Sequence, residues 1–139
     1  MPSVFPMTSC AAPAISSATA ISVASDLRFT RDGVVLANDR MSLAERIQKE
    51  LDGPVAAGLH SLAASNLAAA PPDEDALVCG NDPETKALVL ELASRVVSGR
   101  ALDAGSLASA RALENLTALI INLNKRYRAH AGIRVTGIS

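Results

Sequence analysis

The side chains that could do chemistry in this sequence are few, and none of them stands in a motif typical of catalysis. The only histidines are His60 and His130, and neither has a Ser, Cys or carboxylate at a spacing typical of a catalytic group. The sequence contains no Gly-rich phosphate-binding loop, no His-Glu-x-x-His zinc motif and no Gly-x-Ser-x-Gly nucleophile motif. We therefore predict a protein that is not an enzyme, with no catalytic residue, no cofactor and no small-molecule substrate.

Neither a metal site nor a disulfide is favoured. Three consecutive carboxylates, Asp73-Glu74-Asp75, cannot all converge on one ion, and no calcium-loop spacing follows them, so they indicate a solvated acidic loop. Cys10 and Cys79 form no Cys-x-x-Cys pair and fall in a predicted tail and a predicted loop. Free thiols are therefore favoured over a disulfide, and no metal ligand is predicted.

The charged residues are confined to the chain after residue 25. Of the 139 residues, 13 are Lys or Arg and 14 are Asp or Glu, and the first of these is Asp26. Residues 1–25 are rich in Ser and Ala and lack the large apolar periodicity of a packed element, which predicts a disordered leader. Four interpretations stay open for it: an uncleaved type III secretion signal, a cleaved secretory signal, an organelle transit peptide and a merely floppy terminus.

Composition excludes two classes of function and indicates a thin core. The formal net charge of −1 provides no basic field for nucleic acid. No run approaches the ~18–20 continuous apolar residues of a membrane span. The chain has two Phe, one Tyr and no Trp, so the aromatic side chains that usually dominate cores are scarce. We expect a protein partner to cover an exposed helix face.

The elements that would position these side chains are predicted to be mainly helical. An Asp32-Gly33 turn between two short runs with β preference predicts a hairpin or an extended arm near 27–36, within an arm at 26–41. Ser42 and Glu45 form a capping box that begins the first helix. The remaining predicted segments are a helix at 54–70, a loop at 71–82, a helix that opens at Asp82-Pro83, a helix at 106–130 and a tail at 133–139. The predicted fold is all-α, a small bundle of about four helices at 42–132.

The last predicted helix carries a seam that resembles an interface. Its apolar residues are spaced 3, 4, 3 and 4 along the chain, and together with two residues of the preceding helix they are our candidate partner-binding residues. These residues are Leu113, Leu116, Leu119, Ile120, Leu123, Tyr127, Leu92 and Val96. The seam could equally be covered by the preceding helices of the chain.

Two segments resemble the YscX-type components of type III secretion systems. One is Arg31-Asp32-Gly33-Val34-Val35-Leu36, which is followed by the short helix Leu43-Ala-Glu-Arg-Ile47, and the other is the pattern from Leu116 to Lys125. The resemblance implies an exported, non-enzymatic protein whose C-terminal helices bind a small helical chaperone and which engages the export machinery. It also implies a location in the bacterial cytoplasm followed by type III secretion. The alternative is a soluble helical regulatory or structural protein that self-associates through Leu113–Tyr127, with an organelle-targeting leader.

Overall fold

The protein is an α/β domain, and the prediction of an all-α bundle is wrong. The computed structural model describes residues 19–38, 40–68 and 70–138, which are the described residues below. The elements in chain order are β1 (Ala20–Ser22), β2 (Leu27–Thr30), β3 (Gly33–Leu36), α1 (Leu43–Glu50), β4 (Val55–Gly58), α2 (Ala64–Leu67), β5 (Ala76–Gly80), α3 (Pro83–Val96), β6 (Ala101–Asp103), a 3-10 turn (Leu107–Ser109) and α4 (Ala110–Tyr127). Strands therefore lie inside the segment predicted to be a helical domain.

Four strands form one sheet in the order β1-β4-β5-β6, and β2 and β3 form a separate hairpin. β1 runs parallel to β4, and β5 runs parallel to β6. β4 and β5 are antiparallel, with Ala57 opposite Cys79. The sheet thus consists of two parallel pairs that point in opposite directions. The carboxyl ends of β1 and β4 lie at one end of the sheet, and those of β5 and β6 lie at the other.

The two central strands explain why the sequence was misread. All four residues of Val55–Gly58 are buried, and so are all residues of Ala76–Gly80 except Leu77. A strand covered by helices on both faces is a short continuous apolar run, and a run made largely of alanine has high helix propensity. The predictions of a helix at 54–70 and of a loop at 71–82 are therefore wrong, and among the described residues of these ranges only Ala64–Leu67 is helical.

The core has two halves, one on each face of the sheet, because successive strand residues point to opposite faces. On one face, Val55, Ala57 and Cys79 pack against α1, the 3-10 turn and α4. On the other face, Ala56 and Val78 pack against α3. The result is a three-layer arrangement in which the sheet is covered on both sides.

The two helices with polar caps begin where the sequence predicted. The hydroxyl of Ser42 accepts a hydrogen bond from the Glu45 amide at 3.0 Å, and the Glu45 carboxylate accepts one from the Ser42 amide at 2.9 Å. The Asp82 carboxylate accepts from the Thr85 amide at 2.9 Å at the start of α3. These local signals are confirmed because both partners are close in sequence.

The segment before α1 contains more structure than a leader and an arm. β1 lies within the stretch 1–25, and its residue Ala20 pairs with Val55 of β4. The hairpin near 27–36 is present, with Arg31 and Asp32 at its turn. The rest of the predicted leader at 1–18, including Cys10, lies outside the described residues.

The prediction of a solvated acidic loop at Asp73-Glu74-Asp75 holds only for Asp73, which is exposed, because Glu74 and Asp75 are buried and Asp75 holds the C-terminal segment in place. The Asp75 carboxylate accepts hydrogen bonds from the amides of Val135 and Arg100, both at 2.8 Å. The Asp75 amide donates to the carbonyl of Ile133 at 2.7 Å. Within the predicted tail at 133–139, Ile133 and Val135 are thus anchored to the start of β5. Among the described residues, no helix combines the length and apolar character needed to cross a membrane.

Candidate functional site

A cluster of buried polar side chains lies at the carboxyl ends of β1 and β4. Ser22 ends β1, and the turn that follows β4 carries His60 and Ser61. These three side chains are 4%, 5% and 2% exposed. Both ring nitrogens of His60 and the hydroxyls of Ser22 and Ser61 lack a hydrogen bond of good geometry among the described residues, although the backbone of Ala24 lies close to the imidazole. Buried polar groups are nearly always paired, so this cluster is a candidate place for a bound ligand or ordered water.

His60 is the chemically versatile member of this cluster. Burial lowers the pKa of His60 to about 4, although the neighbouring backbone of Ala24 opposes the shift. The imidazole is therefore neutral at neutral pH. A neutral imidazole has one N–H donor and one acceptor nitrogen, so it offers a ligand one hydrogen bond of each kind.

The turn that carries His60 is strained. Leu59 has a φ of 67°, in the left-handed region that costs a residue with a Cβ about 1–2 kcal/mol. Two backbone hydrogen bonds keep Leu59 in this conformation. The Leu59 amide donates to the carbonyl of Leu77 at 3.2 Å, and the Leu62 amide donates to the carbonyl of Leu59 at 3.1 Å. Strained residues of this kind cluster at functional sites because the surrounding structure must maintain them.

A chain of hydroxyl groups joins helix α4 to the turn that carries His60. The hydroxyl of Thr117 donates to the carbonyl of His60 at 2.8 Å. The hydroxyl of Ser25 lies 3.0 Å both from the Thr117 hydroxyl and from the carbonyl of Glu114. Thr117 and Ser25 therefore fix the turn after β4 against the helix that crosses it.

Glu114 fixes α4 in turn against α1. Glu114 is 1% exposed. Its carboxylate accepts hydrogen bonds from the amides of Leu43 at 2.7 Å and Ala44 at 3.0 Å. The first amides of a helix have no partner within the helix, and a carboxylate there also complements the helix dipole. Glu114 thus stabilises the helix junction next to Thr117.

The predicted partner-binding residues do not form one surface. Leu113 and Ile120 are each 5% exposed, whereas Leu119, Tyr127 and Leu92 are exposed. The remaining three, Leu116, Leu123 and Val96, are partly buried. Because α3 and α4 cover opposite faces of the sheet, the residues on these two helices are separated by the sheet. That the exposed members bind a protein stays a prediction.

Sequence reasoning missed the polar cluster because it placed His60 in a helix. The only sequence signals were polar residues within apolar segments, namely Glu114 beside Leu113 and Thr117 beside Leu116. Cys79 lies on β5 rather than in a loop, and burial raises the pKa of its thiol to about 11. The described residues contain no group of three or more His, Cys, Asp or Glu side chains placed to bind a metal.

The fold is an α/β sheet with a polar cluster at the carboxyl ends of two parallel strands, the end of a strand at which α/β folds usually bind ligands. A solved structure has a similar fold: a putative F420-dependent NADP-reductase from Arthrobacter sp. FB24. It matches 91% of this chain with a TM-score of 0.77 and 26% sequence identity, and the match covers 61% of that protein.

Three proteins named F420-dependent NADP reductase are similar in sequence. The protein of Methanocaldococcus jannaschii is 45% identical over 69 residues, which are 49% of this chain and 31% of that protein. Those of Methanothermobacter thermautotrophicus and Methanothermobacter marburgensis are both 38% identical, over 98 and 103 residues. These matches cover 68% and 70% of this chain, but only 42% and 46% of the two relatives. The chain thus spans less than half the length of these relatives, and no protein-family model matches it.

These comparisons overturn the functional predictions made from the sequence. The resemblance to YscX-type proteins is wrong, because the similar proteins are named as reductases. The predictions of a non-enzymatic role, a helical chaperone partner and type III secretion depended on that resemblance or on missing motifs, and they are wrong too. So is the prediction of no small-molecule substrate, since the relatives are named for small molecules. The short matching segments consisted of common residue types that many unrelated proteins share.

Proposed function

We propose that this chain is part of an oxidoreductase that transfers a hydride between the deazaflavin cofactor F420 and NADP. The observation that carries the proposal is the 38–45% identity to three proteins named for that activity. The similar fold of the Arthrobacter protein supports it independently of the sequence matches. Within the chain, we assign the polar cluster around His60 to one of the two cofactors.

The chemistry of the cluster fits the ring system of a deazaflavin. Such a ring is planar and has a polar edge with both donor and acceptor atoms, and the deazaflavin supplies or accepts the hydride when it is bound. The unpaired nitrogens of His60 and the hydroxyls of Ser22 and Ser61 are matching donors and acceptors. We therefore assign these three residues to holding the polar edge of the ring.

The fit to NADP is different. The pyrophosphate of a dinucleotide is usually held by a Gly-rich loop at the start of a helix, and this sequence contains no Gly-x-Gly-x-x-Gly loop. At the start of α3, the Asp82 carboxylate already occupies the first-turn amide of Thr85. We therefore assign no residue at the start of a helix to the pyrophosphate.

The chain's own contribution to the reaction is to orient and to exclude water. His60 stays neutral at neutral pH, so it would hold the cofactor through hydrogen bonds without adding a charge to the site. Thr117 uses its proton on the His60 carbonyl and so acts as a positioning residue. The burial of the cluster limits access of water, which strengthens the hydrogen bonds made there.

The substitution His60→Leu tests this function, because it removes both ring nitrogens and leaves an apolar side chain in their place. It should weaken binding of F420 by roughly 2- to 13-fold for each hydrogen bond lost, a value that follows from about 0.5–1.5 kcal/mol per bond. Hydride transfer from NADPH to F420 should fall as well. Thermal stability should stay the same or rise, because an unpaired buried polar group is removed.

The matched control is His130→Leu, which changes the other histidine at an exposed position. It should leave F420 binding and hydride transfer unchanged. Binding is measured by the change in the cofactor's own fluorescence on titration with the full chain. If the wild-type chain binds neither F420 nor NADPH, the proposed function is refuted. If His60→Leu and His130→Leu bind F420 equally well, the assignment of the polar cluster is wrong.

A further inference from the structure

A basic groove lies between the hairpin turn and the last turns of α4. It is a cavity of about 380 Å³ lined by Arg31, Asp32, Gly33, Asn122, Lys125 and Arg126. The first three residues come from the β2–β3 turn and the other three from α4. Two elements about 90 residues apart in sequence therefore build one concave surface.

The groove is held rigidly by one amide side chain. Asn122 accepts a hydrogen bond from the Val34 amide at 2.8 Å and donates one to the Val34 carbonyl at 3.0 Å. Gly33 has a φ of 135°, and a Cβ on it would stand 3.0 Å from the Asn122 side-chain oxygen. The absence of a side chain at Gly33 thus allows the hairpin turn to lie directly on α4.

The charges in the groove are unbalanced. Three cations, Arg31, Lys125 and Arg126, face a single carboxylate, Asp32. None of these cations forms an ion pair with a described residue, so the groove carries positive charge that no ion pair compensates. The dipole of α4 accounts for cations at its C-terminal end. It does not account for Arg31, which lies on the hairpin.

We propose that this groove binds a small multivalent anion that carries phosphate or carboxylate groups. Arginine and lysine are the side chains that recognise such groups, and a rigid concave surface favours a ligand over bulk ions. The geometry and charge of the groove support an anion site independently of the proposed function. Its assignment to the anionic part of a cofactor rests on the proposed function, since NADP carries phosphates and F420 carries a phosphate and a chain of glutamates.

The proposal is tested by titrating the full chain, observed by amide NMR, with inorganic pyrophosphate and separately with γ-linked triglutamate. Either probe should shift the amides of 31–33 and 122–126 with saturation, and more salt should weaken the binding. Tighter binding of pyrophosphate indicates phosphate as the natural ligand group, and tighter binding of triglutamate indicates carboxylate. Lys125→Gln should reduce the affinity by roughly 1.4- to 5-fold, the range for one exposed ion pair.

The matched control is Lys49→Gln, which removes an exposed lysine from α1. Affinities that fall equally in Lys125→Gln and Lys49→Gln would overturn the proposal. So would shifts that do not saturate, or that spread over all basic residues of the surface. Neither probe contains a redox-active ring, so anion binding and hydride transfer can fail independently of each other.

Discussion

Removing one oxygen acceptor from Glu114 should destabilise the protein far more than the same change at an exposed glutamate. The carboxylate is buried and bonded to two amides at the start of α1. In Glu114→Gln, one oxygen is replaced by an NH2 group, which is a donor. One amide then keeps its acceptor, and the other faces a donor at a position buried from solvent.

The magnitude follows from these contacts. A buried polar group left without its partner costs about 1–3 kcal/mol, and a hydrogen bond to a charged group contributes about 1.5–3 kcal/mol. The favourable interaction of an anion with the helix dipole adds about 0.3–1 kcal/mol. These overlapping contributions predict a loss of roughly 2–4 kcal/mol. For a chain of this size that is a fall in Tm of roughly 6–12 °C, at about 3 °C per kcal/mol.

Thermal unfolding followed by circular dichroism measures the effect, and hydrogen exchange at the Leu43 and Ala44 amides locates it. Glu50→Gln is the matched control, because Glu50 is exposed on the same helix α1. The control should change stability by less than about 0.5 kcal/mol. A Tm for Glu114→Gln within about 2 °C of the wild type would refute the reasoning.

The acidic triplet gives two further predictions. Asp75→Asn should speed hydrogen exchange of the Val135 amide, because it weakens the carboxylate acceptor of that amide. In the wild type, the hydrogen bonds from the amides of Val135 and Arg100 hold the pKa of Asp75 at about 2. In the wild type, the stability from this lowered pKa is present above the unfolded value of about 3.9 and is lost as the pH falls towards 2. Glu74→Gln should raise the stability to urea at neutral pH, because burial raises the pKa of Glu74 and its ionisation opposes folding. This gain should vanish in acid, where Glu74 is protonated in both states.

Asp52→Asn and Glu50→Gln are the matched controls for these two changes, since both residues are exposed. Val135 exchange that is the same in Asp75→Asn and Asp52→Asn would contradict the first prediction. A stabilisation by Glu74→Gln that does not depend on pH would contradict the second, because burial of an ionised group would then not be its cause.

The sequence predicted the parts of the fold that depend on neighbours along the chain. The capping box at Ser42 and Glu45, the Asp82 cap and the Asp32-Gly33 turn are all present. Each requires only residues within about four positions, so the chemistry of each is complete within the sequence. The central strands differ, because whether Val55–Gly58 forms a strand or a helix is decided by partners far away.

The polar cluster could not be predicted for a related reason. His60, Ser25 and Thr117 meet only when β1, β4 and α4 are assembled. No local motif connects them, and the helix predicted over 54–70 moved His60 away from its true neighbours. The sequence signal that could have helped is Glu114, because a charged residue in an apolar helix face needs a partner inside the fold.

The alanines of the central strands determine how this protein could be stabilised by engineering. Ala56, Ala57 and Ala76 are fully enclosed, and a Cβ on Gly80 would already lie 3.3 Å from that of Ala56. The helices therefore rest nearly on the backbone of the sheet, and an added methyl group would force the layers apart. Directed evolution for heat tolerance should accordingly select changes at helix ends and surface charges, and it should rarely enlarge the interior.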